Sequence, residues 1–427
     1  MSEPDSLHSQ EKEIPRDVSP SPAREAESQN APAKSEFTPR ALLALAGCFS
    51  VTFCSVGFIN AFGVFQEYYG QTILHDKSAS TISWIGSFNL FCLFGGMMIA
   101  GMLEYKYGPT ILMVIGSLLS VFGIFMTSLG KEYYQLFLAQ GLVLGVGICL
   151  VLMPAFVNIT YHFRASRGVA MGIVVSGSSL GGVIWPIALH RLIGEVGFGW
   201  AVRIAAFMMM PLYGLAVSFV RRPESLVLPP RAKPDFSFLK NPAILFLSAG
   251  MFFVYLGLFS PYFYITSWTV SLGLDANMAF YMISIMNAAS LFGRVVPGLA
   301  ADKMGPFNVM ISIVAISGVI ATCWTKATSI PGIVVFSLAY GFSSGGVMSL
   351  QGPCAVAPVQ PAQYGVAMGS VMTILSVAGL IGTPITGQLL GAYGFLGVSL
   401  FSGLAMLIGA IMTLIARMFL AKGLFVK

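Results

Sequence analysis

The chain has 427 residues, of which 56% are hydrophobic and only 9% are charged. A soluble globular protein has about 25% charged residues, so this composition excludes a soluble fold and predicts that lipid surrounds most of the chain. The net charge is +6, but the basic residues fall in short loops and form no stripe, which argues against a nucleic-acid partner. The six cysteines form no CxxC or Cys/His cluster, so we expect no metal site, disulfide framework or cofactor.

The start of the chain differs in composition from the rest. Residues 1–39 are rich in Ser, Pro, Glu and Lys and have almost no apolar residues, which predicts a disordered tail. Apolar segments follow, each close to the ~20 residues that a membrane-spanning helix needs. The twelve predicted spans are 41–66, 81–103, 109–129, 133–157, 167–190, 198–220, 242–268, 277–301, 307–326, 331–356, 364–391 and 394–420.

A basic, Pro-rich segment at 221–241 separates six spans from the other six. We therefore predict an all-α membrane protein with a six-helix bundle at 41–220, a linker at 221–241, a second six-helix bundle at 242–420 and a short end at 421–427. Lys and Arg are concentrated on the linker side of the predicted membrane, so the positive-inside rule places the linker and both termini in the cytosol. We expect this chain in the plasma membrane, embedded in the lipid bilayer and without an obligate protein partner.

Two separate motifs recur at one spacing. The sequence GVAMG at Gly168–Gly172 returns at Gly365–Gly369, and Gly101–Pro109 aligns with Gly298–Pro306. Both pairs are 197 positions apart (365 minus 168, and 298 minus 101). Because two unrelated stretches share this offset, the chain is predicted to be a duplicated six-span unit in parallel orientation. Such halves pack around an axis along the membrane normal and place a substrate site between them.

The loops after spans two and eight resemble the G-x-L-x-D-[RK]-x-G signature of the major facilitator superfamily. The second copy keeps the acidic residue, whereas Tyr105 stands at that position in the first copy. The resemblance implies a transporter with twelve helices in two pseudo-symmetric bundles. It also implies that these loops control opening and closing by placing charge against helix ends. The residues that would carry this role are Gly101, Lys106 and Gly108 in the first copy, and Gly298, Asp302, Lys303 and Gly305 in the second.

Further motifs narrow the resemblance. NAFGVFQEYY at 60–69, GSSLGGVIWP at 177–186 and YGFSSG at 340–345 are similar to the fungal branch of the monocarboxylate transporter family. That resemblance implies secondary active transport by alternating access, either of a small carboxylate, with or without a coupled proton, or of an exported specialised metabolite. Ser290 occupies the position at which proton-coupled animal members have an acid, and no Asp or Glu lies in the middle of a predicted span.

One formal charge lies deep within a predicted span. Arg294 is about 12 Å along the helix from Asp302, and a cation there is costly unless it faces a wet cavity or a partner. Asn287 and Ser290 precede Arg294 by seven and four residues and therefore share its helix face. This face predicts the lining of a polar substrate path. The alternative is an arginine that bonds backbone carbonyls and fixes two helices together.

Other residues within the spans are candidates for the same path. Tyr255 and Tyr262 are seven residues apart in span seven and suit stacking on a ring-bearing solute, with helix packing or lipid contact as the alternative. Gln351, Asn60 and Asn89 are the candidate amides, and the alternative for each is an interhelical hydrogen bond.

These residues are compatible with several functions. The first is a secondary transporter of a small amphipathic organic anion, such as a monocarboxylate, which Arg294 and the aromatic span seven favour. The second is an exporter of a larger specialised metabolite, and the third is a transporter-like nutrient sensor. A membrane enzyme is not expected, because the four His residues and the few acids supply no convergent catalytic set.

Overall fold

The computed structural model describes residues 36–223, 237–274 and 276–420. Residues 1–35 of the predicted tail, 224–236 of the predicted linker and the end at 421–427 lie outside the described ranges. Every regular element within those ranges is a helix. This is the expected result for a chain in lipid, because a helix satisfies its own backbone hydrogen bonds.

The first half contains six helices. They are α1 at Pro39–Ile73, α2 at Ala79–Gly95 continuing as Met97–Tyr107 beyond a 42° bend, α3 at Pro109–Thr127, α4 at Tyr133–His162, and α5 and α6 within Arg167–Phe219. A glycine at 197 divides the last of these into α5 (167–196) and α6 (198–219).

The second half repeats this order. Its helices are α7 at Pro242–Ser271, interrupted at Phe259, α8 at Ala276–Met304, α9 at Pro306–Thr322, α10 at Ile330–Val356, and α11 and α12 within Tyr364–Leu420. A glycine at 394 divides the last into α11 (364–393) and α12 (395–420).

Together these helices can cross the membrane twelve times. Eight continuous helices in the described ranges are long and apolar enough to span a membrane, and two of them, of 53 and 60 residues, are each long enough for two crossings. The bent α2 and the 17-residue α9 supply the remaining two. Seventeen residues extend about 25 Å, close to the thickness of the hydrocarbon core. The predicted twelve-helix architecture is therefore confirmed.

The duplication is visible in the backbone as well. Gly197 and Gly394 break the two long helices with φ of 77° and 66°, and they lie one repeat offset apart. Gly108 and Gly305 make the turns after α2 and α8 with φ of 83° and 87°, again at that offset. Glycine reaches this left-handed region without steric penalty. The two halves therefore turn at equivalent places for the same reason.

The first helix begins earlier and ends later than the predicted span 41–66. Thr38 caps α1 by accepting a hydrogen bond from the N–H of Ala41 (3.2 Å), and the helix runs on to Ile73 with a break near Asn60. The Glu36 carboxylate accepts backbone N–H groups of the α4–α5 loop at 2.8 to 3.1 Å. Residues 36–39 of the predicted tail therefore belong to the described fold, with Pro39 already in α1.

The halves meet along two seams. In the α5–α8 seam the backbone of Gly168 contacts that of Gly298, and in the α2–α11 seam the backbone of Gly365 contacts that of Gly101. No side chain separates the helices at these points, so the approach is limited by the backbones themselves. The candidate site lies along the α5–α8 seam.

Candidate substrate-binding site

Arg294 lies on α8 and faces α5 in the other half. Its Nη1 donates hydrogen bonds to the backbone oxygen of Val175 (2.6 Å) and to the Ser178 hydroxyl, and its Nη2 donates to the Met348 sulfur on α10 (3.2 Å). The residue is only 3% exposed, and its Nε has no hydrogen-bond partner among the described residues. The guanidinium therefore joins the two halves and retains one unused donor.

This geometry fits both interpretations of Arg294. Its bonds to Val175 and Ser178 tie α8 to α5, which is what a packing role requires. A buried N–H without a partner costs free energy, and it offers a donor to an anion, which is what a substrate path requires. The groups that the guanidinium contacts are a carbonyl, a hydroxyl and a thioether. These contacts are all neutral and do not compensate its charge.

Serine hydroxyls extend the polar contact along the α5–α8 seam. The Oγ atoms of Ser290 and Ser179 are 2.8 Å apart across the seam, and both residues are buried. Ser290 also donates to the backbone oxygen of Asn287 (2.8 Å). A polar line therefore runs from Arg294 toward the start of α8.

Two amides from opposite halves lie at the far end of this line. Asn287 of α8 is 8% exposed, whereas Asn60, in the break of α1, is exposed. Both approach Gly182 of α5: a Cβ atom built on that glycine would lie 3.0 Å from the Asn60 Nδ2 and 3.6 Å from the Asn287 Oδ1. The structure thus brings Asn60 and Asn287 to the same seam as Arg294.

Helices α7 and α10 contribute two matched hydrogen bonds. The Tyr255 hydroxyl donates to Gln351 Oε1 (2.7 Å), and the Tyr262 hydroxyl lies 3.0 Å from Ser344 Oγ. The two tyrosines are seven residues apart on α7, and their partners are seven residues apart on α10. Because the helices are antiparallel, the two hydrogen bonds lie one above the other, about two helix turns apart. Ser290 lies beside the Tyr262 hydroxyl, which connects the second of these bonds to α8. Tyr255, Tyr262 and Gln351 are therefore close to the seam and bonded between helices.

Asp302 closes the α5–α8 seam where α8 turns into α9. Its two carboxylate oxygens accept the N–H groups of Gly168 (2.6 Å) and Val169 (2.9 Å), in the first turn of α5. A carboxylate is stabilised there because the N-terminus of a helix carries partial positive charge. This contact crosses between the halves, so it must break when that end of the seam opens.

Among the residues that the structure describes, the lysines of the two loops make no comparable contact between the halves. Lys106 places its ammonium group 4.8 Å from the centre of the Tyr107 ring. Lys303 is exposed at the end of α8. Gly108 and Gly305 each supply the left-handed residue of the turn that follows.

Comparison with known proteins identifies the fold family. The family model described as Major Facilitator Superfamily matches residues 47–383. The chain belongs to this superfamily. It is therefore an integral multi-pass membrane protein and a transporter.

Individual relatives agree with this assignment. The agnestins efflux protein AgnL12 of Paecilomyces divaricatus is 59% identical over 416 residues, covering 97% of this chain and 96% of its own length. The aspyridones efflux protein apdF of Emericella nidulans is 41% identical over 391 residues, covering 90% of this chain and 79% of its own length. The solved structure of the superfamily transporter FucP in the outward conformation has a TM-score of 0.71 at 15% identity, covering 89% of this chain and 99% of that chain. At that identity the structural likeness shows the fold alone.

Asn89 lies away from the seam of this transporter. It is 3% exposed in α2 and donates to the backbone oxygen of Gln140 in α4 (2.5 Å). Both helices belong to the first half, so this amide links helices within one bundle. Its placement differs from that of the other predicted site residues because it lies on the face of α2 that packs against α4, where its backbone also meets Gly145.

Sequence reasoning missed the two serines that face α8. Ser178 bonds the guanidinium and Ser179 bonds Ser290. Both stand in the GSSLGG motif at 177–182, which we used only as a mark of family resemblance. A pair of hydroxyls among glycines in a span is a usable signal, because glycines let a second helix come close enough to be bonded.

A cluster near Asp302 was also missed. The Arg167 guanidinium donates to the Tyr364 hydroxyl (2.6 Å), and the Tyr161 and Tyr364 rings stack with centroids 5.7 Å apart. The Tyr161 hydroxyl donates to the backbone oxygen of Pro361 (3.2 Å). Arg167 and Tyr364 are equivalent positions of the repeat, so each half contributes the same position to this contact.

Arg294 is not the only buried charge among the described residues. Glu104, at the end of α2, is fully buried and pairs with Arg222 at 2.9 Å. Sequence inspection placed Glu104 just beyond span two and Arg222 in the linker. Glu104 is buried because α2 continues to Tyr107 and the chain after α6 folds back onto it.

Proposed function

We propose that this transporter exports an organic anion of the specialised-metabolite type by alternating access, with the acidic group bound at Arg294. The observation that carries the proposal is a buried guanidinium on the seam between the halves that keeps its Nε unpaired. Relatives at 59% and 41% identity are named as efflux proteins for agnestins and aspyridones. These names favour metabolite export over the uptake of a small monocarboxylate.

The contacts of Arg294 suggest how binding and movement are coupled. The guanidinium now bonds α5 through Val175 and Ser178. A carboxylate that took up these donors would form stronger, charge-assisted bonds and would free α5 from α8 at that level. Substrate binding would thereby loosen the α5–α8 seam, while Asp302 holds it shut at one end. Rocking of one half against the other then exposes the site on alternate sides.

We further propose that the site operates in the plasma membrane with both termini in the cytosol, as the distribution of Lys and Arg indicates. In that orientation Asp302 and the Tyr161–Tyr364 stack close the cytosolic end of the seam. A nutrient sensor with this fold would bind its ligand without net flux, so measured flux separates the two alternatives.

The test compares metabolites inside and outside fungal cells with the gene intact, deleted, or replaced by a variant. We expect deletion to move an acidic metabolite from the medium to the cell interior. Arg294→Ala should lower export by about tenfold or more, because hydrogen bonds to a charged group are lost, with protein abundance near that of the wild type. Arg294→Lys should be intermediate, because it keeps the charge but not the planar fork of donors.

Arg191→Ala is the matched control, since Arg191 is exposed beyond the seam, and it should export normally. If Arg294→Ala lowers abundance and export in equal proportion, the arginine serves packing and the proposed anion site is wrong. If deletion leaves the distribution of every acidic metabolite unchanged, export itself is wrong.

A further inference from the structure

The α5–α8 seam contains a second polar group without a partner. Asn287 is 8% exposed, and its side-chain amide makes no hydrogen bond to the residues that the structure describes. It precedes Arg294 by seven residues on the same helix. Seven residues are about two turns, so the two Cα atoms lie about 10 Å apart along the helix axis and the two side chains share one face.

The opposite half presents an amide to the same point. Asn60 lies in the break of α1, and its side chain makes one hydrogen bond in the described ranges, a long one from Nδ2 to the backbone oxygen of Ser178 (3.4 Å). Both amides approach Gly182, and a methyl group there would stand 3.0 Å from the Asn60 Nδ2 and 3.6 Å from the Asn287 Oδ1. A side chain at residue 182 would therefore crowd the Asn60 amide.

Two unsatisfied groups on one face require an explanation. Buried polar groups in folded proteins nearly always have a hydrogen-bond partner, and an unpaired one costs free energy. The buried Arg294 Nε lacks one, and the Asn287 amide, which keeps some accessible surface, makes no side-chain hydrogen bond to the described residues. One ligand that spans the distance between them would satisfy both groups, and the ring of Tyr262, whose hydroxyl lies beside Ser290 between them, would support its apolar body.

We infer that Asn60 and Asn287 form a second subsite, for a neutral hydroxyl or carbonyl oxygen, about two turns of α8 away from Arg294, the anion subsite. The inference rests on the proposed function and makes it more specific. The substrate class is an elongated, ring-bearing organic acid with a polar oxygen at the end opposite its acidic group. A compact monocarboxylate reaches only Arg294.

Two acids that differ by one hydroxyl test this inference. The probes are biphenyl-4-carboxylate and 4′-hydroxybiphenyl-4-carboxylate, whose hydroxyl and carboxylate lie at opposite ends of two linked rings. The measurement is counterflow in proteoliposomes of the full chain, which requires no coupling gradient. At low concentration the wild type should take up the hydroxy acid about fivefold faster than the plain acid, as expected for one added hydrogen bond.

The variants separate this subsite from the anion site. Asn287→Ala should lose the preference for the hydroxy acid and carry the two acids at equal rates, and a melting temperature in detergent close to that of the wild type shows that it folds. Gly182→Ala should weaken the same preference, whereas Gly63→Ala, whose added methyl meets no atom within 4 Å, should leave it unchanged. Arg294→Ala should stop uptake of both acids.

Each contrary outcome has a definite meaning. A wild type that carries both acids equally, or an Asn287→Ala variant that keeps the preference, overturns the second subsite while the anion site stands. Uptake that survives Arg294→Ala overturns the anion site and the proposed function with it. A wild type that carries neither acid overturns the substrate class, and the metabolite comparison in cells still decides whether the chain exports.

Discussion

The two seams between the halves share a backbone arrangement and differ in their chemistry. Gly172 contacts the backbone oxygen of Arg294, and its repeat equivalent Gly369 contacts the backbone oxygen of Met97, which is the equivalent of Arg294. In the α2–α11 seam the polar contact between helices comes from Thr373, whose hydroxyl donates to the Gly95 oxygen (3.1 Å). Duplication thus supplied the close helix contact twice, whereas of the two equivalent residues Arg294 and Met97 one is charged and the other is apolar.

The acidic residues at the ends of α2 and α8 also differ between the two halves. Asp302 reaches across to the first turn of α5 in the other half. Glu104 turns into its own half and bonds Arg222, which also donates to the backbone oxygen of Glu104 (2.5 Å). A one-residue shift of the acid within the repeat therefore changes a contact between the halves into a contact within one half. We expect the first to affect gating and the second to affect folding.

The largest expected effect is on the pair that holds one half together. Arg222→Ala should destabilise the fold by about 3 kcal/mol, because it leaves the Glu104 carboxylate buried without its counter-charge. The apparent melting temperature of the purified protein in detergent measures this loss. Arg221→Ala removes an exposed neighbouring arginine and should leave the melting temperature unchanged. An equal loss in both variants would show that the pair is not responsible.

A smaller effect is expected at the glycines that occupy equivalent positions in the two seams. Gly298→Ala and Gly101→Ala each force a methyl group into the backbone of the facing helix. Overpacking of this kind costs about 1–3 kcal/mol, so each variant should disfavour the closed seam and slow export by roughly five- to a hundredfold.

Export rate per molecule of protein is the measurement for these glycines, and Gly194→Ala, with no atom within 4 Å of the added methyl, is the control. Because the backbone contact is the same in both seams, the two variants should be similarly impaired. Impairment of Gly298→Ala alone would mean that the seams are not equivalent in the transport cycle.

The smallest effect is expected at Asp302. Asp302→Asn removes the charge but keeps one acceptor oxygen, so the contact with α5 should weaken by about 0.3–1 kcal/mol. Hydrogen–deuterium exchange should then be a few times faster at the amides of Gly168 and Val169. Lys303→Gln changes an exposed neighbour and should not alter these amides. Unchanged exchange in Asp302→Asn would show that the carboxylate does not hold the seam closed.

Some features of the fold and of the candidate site can be predicted from local sequence patterns, and others cannot. The spans follow from segment length and hydrophobicity, and the duplication follows from the spacing of two glycine-rich motifs. The shared face of Asn287, Ser290 and Arg294 follows from helical periodicity. The partners of Arg294 do not, since Val175 is more than a hundred residues away and contributes a backbone oxygen that has no signature in the sequence. Asn89 was misplaced for a related reason: periodicity gives a helix face but not the helix that this face meets.

The sequence by itself determined that this protein lies in lipid, that it has two copies of six spans, and that one arginine interrupts an apolar helix. These properties depend on composition, segment length and repetition, and they can be recognised without knowing which helices pack against each other. Only the tertiary structure decided that the arginine bridges the halves, that Glu104 is neutralised by Arg222, and that amides from both halves approach Gly182. Hydrogen bonds and ion pairs act over a few ångströms, so they depend on which helices pack together and at what register.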